Sequence, residues 1–195
     1  MSETRGLEEA VADLVPRAQR GEADALNALL LACRDTIYRW ALVQTPDAED
    51  AEDVTQEVLI RLHGSLKRYE GRSRFTTWLY RVTRNEALNL GRRLRSRLRM
   101  AEAASREAAD ASDAADPLER IHAGKVAALA ETLLRRLPRR QREVFHLADI
   151  EGCSAAEISE RLGMSPVTAR VHLLHARRAL RSHILERLPE LGEEA

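Results

Sequence analysis

Residues 47–93 read DAEDAEDVTQEVLIRLHGSLKRYEGRSRFTTWLYRVTRNEALNLGRR, an acidic amphipathic segment running directly into one rich in aromatics and arginine. At about 3.6 residues per turn, Ala51, Val54, Val58, Leu59, Leu62 and Leu66 share one side of the first helix and predict its buried stripe. Asp53, Gln56, Glu57 and Ile60 fall together on the other side. Thr45 is the expected N-cap and Pro46 a first-turn residue, while Asp47, Glu49 and Asp50 complement the positive end of the helix dipole. An acidic outer face is ordinary for a solvated helix, but an aliphatic side chain within it is less so. Asp53, Gln56, Glu57 and Ile60 together read as a docking surface for a basic partner.

The second helix is expected to begin at Ser73 after a turn at Gly71, with Phe75, Trp78, Leu79, Val82 and Leu90 as its buried stripe. Phe75 and Trp78 read as core. Thr77, Tyr80, Arg81 and Arg84 project elsewhere, and Tyr80 among arginines reads as a stacking platform, because every base has a face to stack and every phosphate is negative. The loop Tyr69–Arg74, with Arg72 and Arg74 around Gly71 and Ser73, has the composition to cradle a displaced base. Beyond it, Arg92, Arg93, Arg95, Arg97 and Arg99 attract phosphate without carrying sequence information.

The rest of the chain fixes the class around this stretch. Ala and Leu dominate the apolar residues, aromatics are scarce, and alternating Val/Ile/Thr runs are missing, which predicts an all-α protein. No apolar run approaches the roughly 20 residues of a membrane span, and MSETRGLEEA is not laid out as a signal peptide. Cys33 and Cys153 stand apart from each other and from any ligand cluster, as expected of inert thiols in a reducing cytoplasm. The net charge of zero conceals blocks: residues 61–100 hold 12 Lys and Arg against 2 Asp and Glu, whereas residues 1–60 hold 5 against 13. A second basic block over 135–188 follows an acidic stretch, which suggests two nucleic-acid contacts separated by a connector.

The expected architecture is two small helical domains joined by a flexible acidic linker: 1–99, a linker over 100–116, and 117–195. The linker is mostly Ala, Glu, Asp and Ser and cannot bury enough apolar surface to fold alone. In the second domain Ser154 and Glu157 form a capping box, Ile158 and Leu162 anchor the short helix, Gly163 makes the turn, and Ser165–Pro166 starts the next helix. This is a helix-turn-helix. On its second helix Ala169, Leu173, Ala176 and Leu180 line up inward. Thr168, Val171, His175 and Arg178 face outward with Arg170 and Leu174 on the rim, a set able to read base edges and thymine methyls.

The patterns AEDVTQEVLIRL (51–62), FTTWLYRVTRNEAL (75–88) and LPRRQREVFHLADIEGCSAAEISERLGMS (137–165) resemble, in this order and spacing, the extracytoplasmic-function sigma factors of bacterial RNA polymerase. The resemblance covers roughly Leu14–Arg99 and Leu129–Leu185. It implies that Asp53, Gln56 and Glu57 grip the clamp helices of the polymerase core, with Ile60 beside them. It places the promoter-melting segment over Arg72, Ser73, Arg74, Tyr80, Arg81 and Arg84, with Asn85 at the family's asparagine position. The second domain is then the one that binds the upstream element as duplex and the polymerase flap. The implied partners are core polymerase and promoter DNA, both duplex and melted strand. An anti-sigma factor is a further candidate, and membrane insertion is not expected. By the same resemblance the connector threads the polymerase channels as an RNA mimic; a plain tether is the alternative.

One departure bears on specificity: His172 and His175 stand where the family often has arginine. Neutral imidazole attracts phosphate less than guanidinium does. No carboxylate or Cys completes a metal site around these two, and no cofactor is implied. No paired carboxylates, phosphate loop or nucleophile–base motif argues for an enzyme. A stand-alone helix-turn-helix activator or repressor is the competing reading, but such regulators usually dimerise and the sequence shows no dimerisation seam.

Overall fold

The computed structural model describes residues 3–105 and 132–187. Among them the chain is helical throughout, with no strand. The first half comprises α1 (Glu3–Val11), α2 (Leu14–Gln19), α3 (Ala23–Gln44), α4 (Ala48–Ser65), a 3₁₀ turn (Leu66–Arg68) and α5 (Phe75–Ser105). Residues 132–136 are helical, and the second half continues with α6 (Arg139–Phe145), a π turn (His146–Ile150), α7 (Ala155–Leu162) and α8 (Pro166–Arg187).

α3 is the axis of the first half. Ala25, Leu29, Cys33, Ile37 and Trp40 recur every three to four residues, and they and Ala41 are all buried. A short connection turns the chain back along α3 as α4, whose stripe of Ala51, Val54, Val58 and Leu62 is buried and whose Leu59 is half-buried. The cap at this corner differs from the expected one. Asp47, not Thr45, is the N-cap of α4 and accepts from the Asp50 amide at 2.8 Å. The Thr45 hydroxyl instead donates to the Ala41 carbonyl at 2.9 Å at the end of α3. An aspartate competes well with a β-branched threonine for this position, and its charge favours the dipole.

The connector begins later than the composition suggests, since α5 runs unbroken through Ser105 and takes in the first residues of the 100–116 segment. Strong helix formers at 101–104, AEAA, explain the continuation. The rest of the linker, the RNA-mimic assignment and the start of the second domain lie outside the described residues.

The two halves share one apolar core. Leu29, Ile37, Trp40, Leu79 and Tyr80 of the first half belong to the same buried cluster as Val144, Leu147, Ile158, Leu162 and Ala169 of the second. A smaller cluster of Leu133, Leu137, Ala176 and Leu180 ties α8 to the segment before α6. Both thiols are free; burial pushes Cys33 up to about 12 and Cys153 up to about 11, so neither is a ready nucleophile.

Candidate nucleic-acid interface and partner groove

Three surfaces carry the candidate residues. On the first, Asp53, Gln56 and Ile60 are exposed and Glu57 is half-exposed on the outer face of α4, with Ile60 at 70 %. They form one wall of an open groove of about 340 Å³ whose other wall is Leu90, Arg93, Leu94 and Arg97 of α5. Arg61 bridges the walls, donating to Glu57 at 2.6 Å and standing 2.6 Å from the buried Glu86 carboxylate. The groove therefore offers carboxylates on one side, guanidinium groups on the other and an aliphatic floor, which suits a helix carrying both charges. The α5 wall is not readable from the sequence, because pairing α4 with residues 90–97 requires knowing how the two helices pack.

The second surface is the turn into α5. Gly71 adopts φ 71°, the left-handed region where a side chain is strained. Tyr69 donates its hydroxyl to the Ser73 carbonyl at 2.7 Å and packs with Phe75 and Trp78, ring centroids lying 5.6 and 5.4 Å away. Gln19 of α2 holds the turn from behind, its amide donating to the Leu66 and Tyr69 carbonyls at 3.0 and 2.7 Å. Arg72 and Asn85 are exposed, with Arg72 paired locally to Glu70 at 2.6 Å. Ser73 does not cap α5; the amides of Phe75 and Thr76 donate to the Glu8 carboxylate of α1 at 3.0 and 2.9 Å.

Tyr80 is not where the helical periodicity puts it. It is 1 % exposed, its ring meeting Trp40 edge-on at 5.2 Å and its hydroxyl accepting from Gln44 at 3.2 Å. Burial, reinforced by the Glu143 charge, pushes its phenol far above the usual range. In this arrangement Tyr80 is core, not a base-stacking platform. The arginines around it face the second half of the chain. Arg74 donates to Glu157 at 2.8 Å, Arg81 to the Glu160 carbonyl, and Arg84 to the fully buried Glu143 at 3.1 Å.

That seam has a polar centre as well. The Trp40 indole donates to Glu151 at 3.1 Å, and His146 Nε2 stands 3.5 Å from the same carboxylate. Burial opposes ionisation of Glu151, but the neighbouring His146 imidazole and the Trp40 indole hydrogen bond outweigh it and hold the carboxyl below its usual range. The Arg161 guanidinium lies 5.8 Å from both the Trp40 and Tyr80 ring centroids. Arg142 of α6 donates to the Val43 carbonyl at 2.8 Å.

The third surface is the helix-turn-helix. Ser154 and Glu157 make the reciprocal capping box, and Gly163 closes α7 at φ 64° in the left-handed region. Ser165 Oγ accepts from the Thr168 amide at 3.0 Å and opens α8. Thr168, Arg170, Val171, Leu174, His175 and Arg178 are all exposed along it, while Ala169 and Ala176 are buried. Arg170 and Arg178 make no ion pair among the described residues, whereas Arg177 is committed to Asp149 at 3.0 and 2.5 Å. No metal-binding group of His, Cys, Asp or Glu occurs among the described residues, and no helix there is long and apolar enough to cross a membrane.

Comparison with known proteins gives a consistent assignment. The family model for Sigma-70 region 2 matches residues 29–97, and that for Sigma-70 region 4 matches residues 128–180. The ECF RNA polymerase sigma factor SigE of Mycolicibacterium smegmatis is 36 % identical over 83 % of this chain, which spans 62 % of that relative's length. The ECF RNA polymerase sigma factor SigC of Mycobacterium tuberculosis is 31 % identical over 92 % of this chain and 94 % of its own. A structure of the sigma factor RpoE of Bartonella quintana in complex with the anti-sigma factor NepR superposes with a TM-score of 0.60 at 23 % identity, covering 78 % of this chain and 92 % of that one. At that identity the superposition speaks for the fold.

Proposed function

The chain belongs to the Sigma-70 family, in its extracytoplasmic-function branch, and from that premise we propose that it directs core RNA polymerase to specific promoters and helps to open them. The observation that carries this reading is the combination, on one chain, of the α4–α5 groove with an exposed helix-turn-helix. A stand-alone activator or repressor needs only the latter. The groove takes a clamp helix of core polymerase, with Asp53, Gln56, Glu57 and Ile60 as the contact face. The turn at Tyr69–Arg74 and the exposed side of α5, including Arg72, Ser73 and Asn85, handle the melted strand. On α8, Thr168, Arg170, Val171, Leu174, His175 and Arg178 read the upstream element in the major groove. The chain carries no reaction of its own and works in the cytoplasm, where polymerase and promoter are. An anti-sigma protein, as in the Bartonella complex, is the natural regulator.

Arg74, Arg81 and Arg84 can serve DNA only after leaving Glu157, the Glu160 carbonyl and Glu143. Promoter engagement thus exchanges intramolecular acceptors for phosphates, and the two halves separate. The deciding experiment is transcription in vitro from a promoter library with added core enzyme. Specific initiation that needs both this chain and core supports the reading. Sequence-specific duplex binding without any affinity for core supports the stand-alone regulator instead.

A further inference from the structure

We infer that Glu8 is a positioning residue for promoter opening: from α1 it sets the N-terminus of α5 and, with it, the turn that meets the melted strand. This rests on the sigma-factor reading above, and it concerns a helix that lies outside both matched regions, which begin at residue 29.

The first amides of a helix have no partner within it and are normally taken by the side chain of the N-cap. α5 begins at Phe75, and the Trp78 amide donates to the Arg74 carbonyl at 3.1 Å, which makes Arg74 the residue at the cap. Arginine has donors only. Its cation also stands at the positive end of the dipole, the unfavourable end for it, and it is engaged with Glu157 at 2.8 Å. The cap must come from elsewhere. Glu8 supplies it, one carboxylate oxygen accepting from Phe75 at 3.0 Å and the other from Thr76 at 2.9 Å, across 67 and 68 residues of sequence. Such two-point, charge-assisted bonds fix direction as well as position.

α1 is built to hold that carboxylate in place. Leu7 and Val11 are buried in the shared core, and Thr4 is buried beside them, so the helix cannot rotate without exposing its stripe. Glu8 also borders the turn itself: with Val15, Gln19, Tyr69, Gly71 and Phe75 it lines an open groove of about 480 Å³. Burial first, and then the Glu8 charge, keeps the Tyr69 phenol above its usual range, in keeping with that proximity. Tyr69 in turn holds the Ser73 carbonyl at 2.7 Å. Glu8 therefore fixes the start of α5 while Tyr69, beside it, holds the last residue of the turn, where a strand with unstacked bases has to be met in one geometry.

The test uses the full chain with core polymerase and a promoter that the wild-type chain opens. Glu8→Ala should lower permanganate-reactive thymines in the open complex about ten-fold, the scale of a lost charged cap, with core affinity and closed-complex binding unchanged. Glu8→Gln, which keeps an acceptor but not the charge, should fall between. Ile37→Val separates positioning from stability, because it trims the core from α3 and leaves α1 and the cap as they are. At a temperature where both variants are folded, Ile37→Val should open the promoter nearly as well as wild type. Amide exchange at Phe75 and Thr76 should accelerate more in Glu8→Ala than in Ile37→Val. Equal opening defects in Glu8→Ala and Ile37→Val, or wild-type opening by Glu8→Ala, would overturn the inference. Failure of the wild-type chain to bind core or open any promoter would instead overturn the sigma-factor reading beneath it.

Discussion

Trp40 in α3 and Glu151 after the π turn, 111 residues apart, share a buried hydrogen bond of 3.1 Å. Trp40 thus packs its ring against Tyr80 in the first half while its one polar atom is satisfied by the second. A buried indole N–H left without an acceptor costs about 1–3 kcal/mol. The bond therefore makes the closing of the two halves a matter of satisfying Trp40 as well as burying apolar surface.

The seam should weaken in acid. The Glu151 carboxyl is held below its ordinary value of 4.5, so its folded-state contribution is present above that value and is lost as pH falls through the depressed folded value. Urea titrations at stepped pH should show a stability loss below about pH 4.5 that is smaller in Glu151→Gln. An identical acid dependence in the variant would assign the loss to other carboxylates.

Freeing the seam's arginines should favour DNA. Glu157→Gln and Glu143→Gln leave Arg74 and Arg84 without their charged partners, at 2.8 and 3.1 Å respectively. Each arginine that then reaches a phosphate should steepen the salt dependence of single-strand binding by about 0.7 in log–log slope. Fluorescence anisotropy of a labelled oligonucleotide across a salt series measures this directly. Glu143 is fully buried, so circular dichroism must accompany that variant, and Glu157→Gln is the cleaner of the two.

Charge reversal at the groove should remove polymerase without unfolding α4. Asp53 is exposed and Glu57 partly so, and neither contributes to the core. The double variant Asp53→Arg, Glu57→Arg should lose measurable affinity for core polymerase while keeping wild-type helicity. Retained core affinity in a pull-down would mean that the partner sits elsewhere.

Arg170 and Arg178 should act on recognition before melting. Replacing either with Ala should weaken closed-complex binding by about 1–3 kcal/mol if it contacts a base edge. Asn85→Ala, on the exposed side of α5, should spare closed binding and reduce thymine reactivity. Equal losses at both steps in both sets would contradict the division of labour.

Tyr80, buried against Trp40, calls for a stability experiment rather than a base-stacking one. Tyr80→Phe removes only the bond to Gln44, at about 1 kcal/mol. Tyr80→Ala opens a cavity under Trp40 and Arg161 and should cost about 3–5 kcal/mol in global stability. A promoter-melting defect in Tyr80→Ala larger than its stability loss accounts for, with Tyr80→Phe opening like wild type, would restore the base-stacking role.

Features with a local cause are legible in the sequence itself. The buried stripe of α4 follows from 3.6-residue spacing alone, and the box of Ser154 with Glu157 is a three-residue relationship. The exposed set on α8 follows from the same periodicity. What escapes the sequence has partners far along the chain. Tyr80 lies off the apolar stripe of its own helix, and its burial depends on Trp40 and on Arg161. Capping of α5 by Glu8 is invisible for the same reason, and Thr45 loses the α4 cap to an equally plausible neighbour, Asp47.

The apolar cluster that runs through both halves has a thermodynamic consequence for the family's working cycle. A chain with one shared core should melt as a single cooperative transition, with a heat capacity change that includes the surface hidden between the halves. On the proposed function, the same chain spread over polymerase and promoter would expose that surface unless the partner covers it. Assembly should therefore carry a heat capacity signature smaller than the area of its contacts implies, because part of the apolar burial gained outside is apolar burial given up within.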